Sequence, residues 1–337
     1  MIHLRIVAPE DVAHQALELL LGSASVLNVV HLHGAARKPD GDVILCDVAR
    51  EDASVIISDL KELDIPRCGS IAVEHIDTSI SDAAVAAEKA APGQPSDAVV
   101  WEEVEARTSE NTELSFSFVL FMIAAMQIAA VGIILDQPIL IVGAMVVGPE
   151  FGPLAGICVA LVNLQGSLAR RSLVALAVGF PVGILATLVT TLFMIWIDVF
   201  PGDFSEAQHP FTEFISNPDF LSFFVALVAG GAGVLSLTSA KSGALVGVLI
   251  SVTTIPAASN IGVAAAYGEA DETVGAALQL AVNLGGIVVA GVLTLFIQRR
   301  YYVMRRRKHL MEPARTAAGL PIGRSARWTE PDPGERR

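Results

Sequence analysis

The chain has 337 residues, 53% of them hydrophobic and 17% charged, with a mean hydropathy of +0.59. Soluble globular chains carry about 25% charged residues, so this composition excludes a wholly soluble protein. The formal charge is −13, yet 11 of the 22 Lys and Arg follow residue 298, which leaves an acidic body with a basic C-terminal segment and argues against nucleic acid as a partner.

Residues 1–77 alternate strand and helix signals in the order βαββαβ, with strands over 2–8, 25–33, 42–50 and 69–76 and helices over 10–21 and 51–63. Pro9 with Glu10 and Asp11 starts the first helix, Gly22 ends it, and Pro66 follows the second. This is the pattern of a ferredoxin-like α+β domain. It contains no Gly-rich phosphate loop and no nucleophile beside a base, so neither a cofactor nor an enzymatic activity is expected. His31 and His33 share one strand face, and Cys46 on the next strand could approach them. With no further ligand to name, the pair reads as two residues of a half-exposed sheet, and no metal is assigned. The three cysteines Cys46, Cys68 and Cys158 are scattered, with no CxxC, and imply neither a disulfide framework nor a zinc cage.

Residues 78–113 read as a small-residue linker followed by an amphipathic helix at the membrane surface, where Val99, Val100, Trp101 and Val104 alternate with Glu102, Glu103 and Glu105. Residues 114–298 then hold six apolar runs, 114–135, 137–169, 172–197, 220–240, 242–268 and 273–298. Each meets the ~20 residues needed to cross a bilayer as a helix. Residues 299–337 are expected to form a basic tail that sits first against anionic lipid and is then mostly disordered.

Between 114 and 298 the only basic residues are Arg170, Arg171 and Lys241, and six crossings put these on the same side as the tail. The alternate loops carry Asp136, Asp198, Asp203, Glu206, Glu213, Asp219, Glu269, Asp271 and Glu272. By the positive-inside rule both termini are cytoplasmic. The opening 12 residues contain no apolar stretch, so the first domain is expected to stay where it is made. Five Lys against 17 Arg with abundant Ala fits a GC-rich bacterial genome, and hence a bacterial plasma membrane.

The second three runs restate the first: Phe220 lies 106 residues after Leu114, Pro256 lies 107 after Pro149, and Thr273 lies 101 after Ser172. Three crossings per half make the second half inverted, the 3+3 architecture of many transporters. The middle run of each half gathers Pro and small polar residues, as GAMVVGPEFGP over 143–153 and GALVGVLISVTTIPAASNIG over 243–262. Pro149, Pro153 and Pro256 remove amide donors and should break both helices near mid-membrane, where freed backbone groups must face protein or water. Gly148, Gly152 and Gly156 recur every fourth residue, as do Gly243, Gly247 and Ser251, giving faces for close helix approach and, in excess of what six helices need, for a homo-oligomer.

Glu150 is the one acidic residue well inside an apolar run. Such a carboxylate must face an aqueous cavity, bind a cation or hold a proton; alternatively it reaches an interface or caps a half-helix. Thr254, Ser259 and Asn260 around the second break complete the candidate site with Pro149, Gly148, Gly152 and Pro256, and Thr253, Gln127, Asn163, Gln279 and Asn283 stand on neighbouring segments. Asn260 leads the secondary set, offering both an amide donor and an acceptor close to Pro256.

The GAMVVGPEFGP stretch resembles the bacterial and archaeal integral membrane family catalogued as domain of unknown function 389, whose members similarly carry a soluble N-terminal region. The resemblance covers residues 114–298 and supports the architecture; at Glu150 the family pattern more often has an apolar residue. It implies no reaction, substrate or binding residue. The expectation is therefore a secondary transporter or ion-conducting protein for an unknown small solute or ion, with a cytoplasmic domain that regulates or oligomerises it. The alternative is a membrane-anchored sensor or scaffold without transport.

Overall fold

The structure, a computed structural model, describes residues 1–91, 93, 98–202, 215, 219–239 and 253–325. The chain divides into two compact units, residues 1–103 with 298–337 and residues 104–297.

The first unit is built on β1 (Ile2–Ala8), α1 (Glu10–Gly22), β2 (Val26–Arg37), β3 (Asp40–Val48), α2 (Arg50–Glu62), the short α3 (Ile65–Cys68) and β4 (Ser70–His75). The strands form one sheet in the order β2-β3-β1-β4, and every neighbouring pair is antiparallel. The alternation in β3 decides which face is covered: Asp42, Ile44, Cys46 and Val48 are buried, and the residues between them are partly exposed. Ile2, Leu4 and Ile6 of β1 join them against Leu19 and Leu20 of α1 and Ile56, Ile57 and Leu60 of α2. Cys46 sits inside this apolar core, where burial pushes its thiol up to about 12. It does not join the two histidines; Asp42 does. The strands of the sheet match the predicted order, with β2 running four residues further than the sequence suggested.

One segment of this unit is a short helix within the expected linker, and another corrects the sequence reading. Residues 82–90 form a helix, α4 (Asp82–Ala90), capped by the Ser81 hydroxyl, which accepts the Ala83 amide at 3.2 Å. The basic segment is not a lipid-facing, mostly disordered tail through residue 325. A helix continues through Arg299 to His309, and α13 (Pro313–Ala317) follows. Ala314, Ala318 and Leu320 enter the sheet core. The basic side chains pair with α2: Arg305 bonds Asp52 at 2.9 Å, Arg306 and Arg315 both reach Asp59 and Glu62, and His309 bonds Asp59 at 2.8 Å.

The second unit is helical. α5 (Trp101–Asn111) leads into α6 (Phe116–Ile134), then α7 (Pro138–Val147), α8 (Phe151–Asn163), α9 (Gly166–Trp196), α10 (Phe220–Thr238), α11 (Thr254–Tyr267) and α12 (Ala270–His309), the last running on into the first unit. Among the described residues, α6, α9, α10 and α12 are long and apolar enough to cross a membrane, and α7 with α8 forms one candidate span bent by 53°. Their apolarity runs all round: α6 has no charged residue, and large side chains such as Phe116, Leu185, Val189, Phe220 and Leu293 are exposed on the outer faces. A helix of 19 residues is about 28 Å long, close to the hydrocarbon thickness. The fifth predicted run is described only from Thr253 onward, and Lys241, Gly243, Gly247 and Ser251 lie outside the described residues, as do Asp203, Glu206 and Glu213.

Small residues set the packing. Gly179 and Gly183 of α9 receive Phe118, Met122 and Met126 of α6, and Gly230 of α10 lies against the Ile287 backbone of α12. Gly148, Gly152 and Gly156 do not form one seam. They meet three different neighbours, Ile255, the Asn111 backbone, and Ser172 with Thr112. α11 ends at Gly268, whose φ of 79° lets the Gly268 and Glu269 amides reach back to Ala265 and Ala264.

Candidate functional site at two helix starts

The first break forms as expected. α7 stops at Val147, Gly148 and Pro149 are non-helical, and α8 restarts at Phe151. Pro149 cannot donate to the α7 ladder, so the chain leaves the helix there. The second proline behaves differently. Pro256 is the third residue of α11, in the first turn, where amides have no intrahelical acceptor and proline is tolerated. Pro153 is likewise the third residue of α8. Pro256 thus lies in the first turn of α11; the residues before Thr253, on which a break of the longer run depends, are outside those described.

The two helix starts meet. Thr254 Oγ1 donates to Glu150 Oε1 at 2.7 Å, joining residues 104 positions apart, and both are buried. Glu150 occupies the cap position of α8, but its side chain accepts none of that helix's amides. Its second oxygen, Oε2, is buried without a hydrogen-bond partner, and among the described residues no cation pairs with it. Gly148 makes the approach possible: a Cβ there would meet Glu150 Oε2 and lie 2.6 Å from Ile255 Cγ1. We therefore expect Gly148→Ala to lower stability by about 1–3 kcal/mol through overpacking. Thermal unfolding in detergent checks this, with an unchanged melting temperature as the contrary result.

Further polar groups line the same helix starts. Asn283 Nδ2 donates to Thr253 Oγ1 at 2.8 Å and to the Thr253 carbonyl at 3.3 Å, and Gln279 Nε2 donates to Asn283 Oδ1 at 3.3 Å. Ser259 Oγ donates to the Met126 carbonyl at 2.7 Å, a bond from α11 to α6. Asn260 Oδ1 and Gln279 Oε1 are buried and unpartnered. Hence Glu150 Oε2, Asn260 Oδ1 and Gln279 Oε1 are among the described buried acceptors of this unit that lack the donors that buried polar atoms ordinarily have. Gln127 and Asn163 stand elsewhere. Gln127 lines a mainly apolar groove of about 720 Å³ between α6 and α9. Asn163, with Gln165, donates to Glu105 at 3.0 and 2.6 Å. Gly152 packs against Asn111. Sequence reasoning missed Glu105 as an acceptor, because its partners lie about 60 residues on with no shared pattern.

Comparison with known proteins agrees with the resemblance. Residues 145–289 match the family model described as Domain of unknown function (DUF389). That span carries the 148–153 break, α11 and the Gln279 and Asn283 side chains. An uncharacterized protein of Methanocaldococcus jannaschii is 26% identical over 199 residues, covering 57% of this chain and 58% of the relative. The chain therefore spans just under three fifths of the length of that relative. No solved structure matches.

Proposed function

We propose that the protein is a multi-pass membrane protein that moves a small solute or ion, with Glu150 exchanging a proton or a cation. The observation that carries this reading is the Glu150–Thr254 bond between two helix starts, with one carboxylate oxygen left over. A lone buried carboxylate is costly and is retained where it trades ligands or protons. An inverted 3+3 repeat of six spans is part of this reading, and the spacing of the helix starts supports it: Phe220 opens α10 104 residues after Phe116 opens α6, Thr254 follows Phe151 by 103, and Ala270 follows Gly166 by 104. The side-chain caps repeat too, Ser115 accepting the Phe118 amide and Asp219 that of Ser222. In this register Pro256 corresponds to Pro153, not Pro149. The site then sits where the half-helices of the two repeats meet, the usual place for a transported ligand. The bacterial inner membrane, cytoplasmic termini, homo-oligomerisation and the lack of enzymatic activity are part of the same proposal. The test is flux in proteoliposomes, comparing wild type with Glu150→Gln.

A second reading, small-ligand sensing by the soluble unit, rests on a cavity of about 570 Å³ lined by Glu51, Trp101, Tyr301, Tyr302, Arg305 and Lys308 among others. Both Glu51 oxygens and Trp101 Nε1 are buried there without hydrogen-bond partners. Burial raises the Glu51 carboxyl above its ordinary value. A raised carboxyl contributes stability below its unfolded pKa and loses it as pH rises, so Glu51→Gln should raise the melting temperature at neutral pH. A zwitterionic metabolite would supply an ammonium to Glu51 and an anion to Lys308. Thermal shifts by free amino acids that vanish in Glu51→Gln would favour this reading; shifts of equal size in both proteins would remove it.

A further inference from the structure

The β2–β3 hairpin gathers three donors of one coordination chemistry. His31 and His33 are two residues apart and project to the same side of β2. Asp42 lies one step beyond the Leu32–Val43 pair, where the ladder becomes irregular between Leu32 and Ala36. His31 Nε2 is 2.7 Å from Asp42 Oδ2, and His33 Nδ1 is 3.1 Å from Oδ1 and 3.2 Å from Oδ2. One donor atom from each of the three residues can be chosen so that all lie within 4.8 Å of one another. We propose that His31, His33 and Asp42 form a binding site for a divalent transition cation of the zinc class, with three protein ligands and one coordination position open to solvent.

Three observations carry the site beyond a surface cluster. The Asp42 side chain is only 3% exposed although it sits at the end of an edge hairpin, whereas His31 and His33 are 32% and 68% exposed and give the ion a route in. The Gly34 amide donates to Asp42 Oδ1 at 2.7 Å and fixes the carboxylate from behind, as outer partners fix metal ligands. Gly34 holds a φ of 58°, which glycine adopts without strain, and this turns the amide inward. A tetrahedral ion at 2.0–2.2 Å from each donor needs donors about 3.4 Å apart, a small expansion of the observed His–Asp spacing. The His3–Asp47 pair in the same sheet is the internal contrast: Asp47 takes His3 Nδ1 at 2.7 Å and Asn28 Nδ2 at 2.7 Å, one imidazole and an amide, which is no metal set.

The test uses the full chain in detergent, stripped with chelator and titrated with Co²⁺ and then Zn²⁺. We expect one ion per chain, visible Co²⁺ absorption of a four-coordinate site that Zn²⁺ abolishes, and a melting temperature raised by Zn²⁺. His33→Ala, at an exposed position that does not endanger folding, and Asp42→Asn should each weaken Zn²⁺ binding at least tenfold, while His3→Ala leaves it unchanged. Wild-type uptake below one ion per chain, or equal affinity in wild type and His33→Ala, overturns the proposal.

Discussion

Glu150→Gln is expected to reduce flux in proteoliposomes to the level of protein-free vesicles while leaving the protein folded. Glutamine has the same shape, and its amide oxygen still accepts the Thr254 hydroxyl that now bonds Glu150 at 2.7 Å. What it loses is the ability to take up and release a proton or to ligate a cation. The measurement is an imposed pH gradient with an internal pH dye, repeated under a Na⁺ or K⁺ gradient. Thr254→Val separates structure from mechanism. It removes the one donor to a buried carboxyl whose other oxygen is already unpartnered, at a cost of about 1–3 kcal/mol in stability. Wild-type flux equal to that of Glu150→Gln under every gradient would show that the carboxyl is structural.

The second large effect is expected at Arg315. Its side chain is fully buried, its Nη1 bonds Asp59 Oδ1, and its Nη2 reaches Glu62 Oε2 at 2.8 Å and the Pro321 carbonyl at 3.3 Å. Asp59 is itself fully buried. Arg315→Ala leaves Asp59 with Arg306 and His309 and Glu62 without one of its two guanidinium partners, and opens a cavity beside Ala314 and Leu320. Removing one partner of a buried ion pair costs about 3–5 kcal/mol, a large share of the about 5–15 kcal/mol that stabilises a whole domain. Hydrogen exchange at the β3 amides should accelerate by orders of magnitude, whereas exchange in α6 should not change. Arg315→Lys should fall between, because an ammonium cannot span two carboxylates as the guanidinium fork does. Unaltered β3 exchange in Arg315→Ala would mean that the C-terminal segment adds nothing to this core.

How much of this was legible in the sequence follows from the range of the interactions. The strand order, α6 and the break at Pro149 were readable because periodicity and proline act within a few residues. Pro149 and Pro256 look alike as letters. Only the helix starts show that Pro256 and Pro153 share the third position. Glu150 stood out as a lone charge, but its partner Thr254 could not be chosen over Ser259 or Asn260 without the packing of α7 on α11. The histidine pair was visible, but Asp42 beside it was not, because the irregular register after Leu32 hides its place. The C-terminal segment was misread most. Its basic composition says only that it seeks negative charge, and whether that charge is lipid or the α2 carboxylates is decided by pairs some 250 residues apart, such as His309 with Asp59.

That distance also sets an order of events during synthesis. β1 to β4 and α2 leave the ribosome long before Ala314, Arg315 and Leu320 exist, so the sheet waits with Asp59 and Glu62 uncompensated and part of its core open. The soluble unit can close only after every apolar segment has been made and α12 has emerged. Its completion therefore waits on Ala314, Arg315 and Leu320: a polypeptide truncated within the apolar region would carry an acidic, unsealed sheet that proteases can recognise.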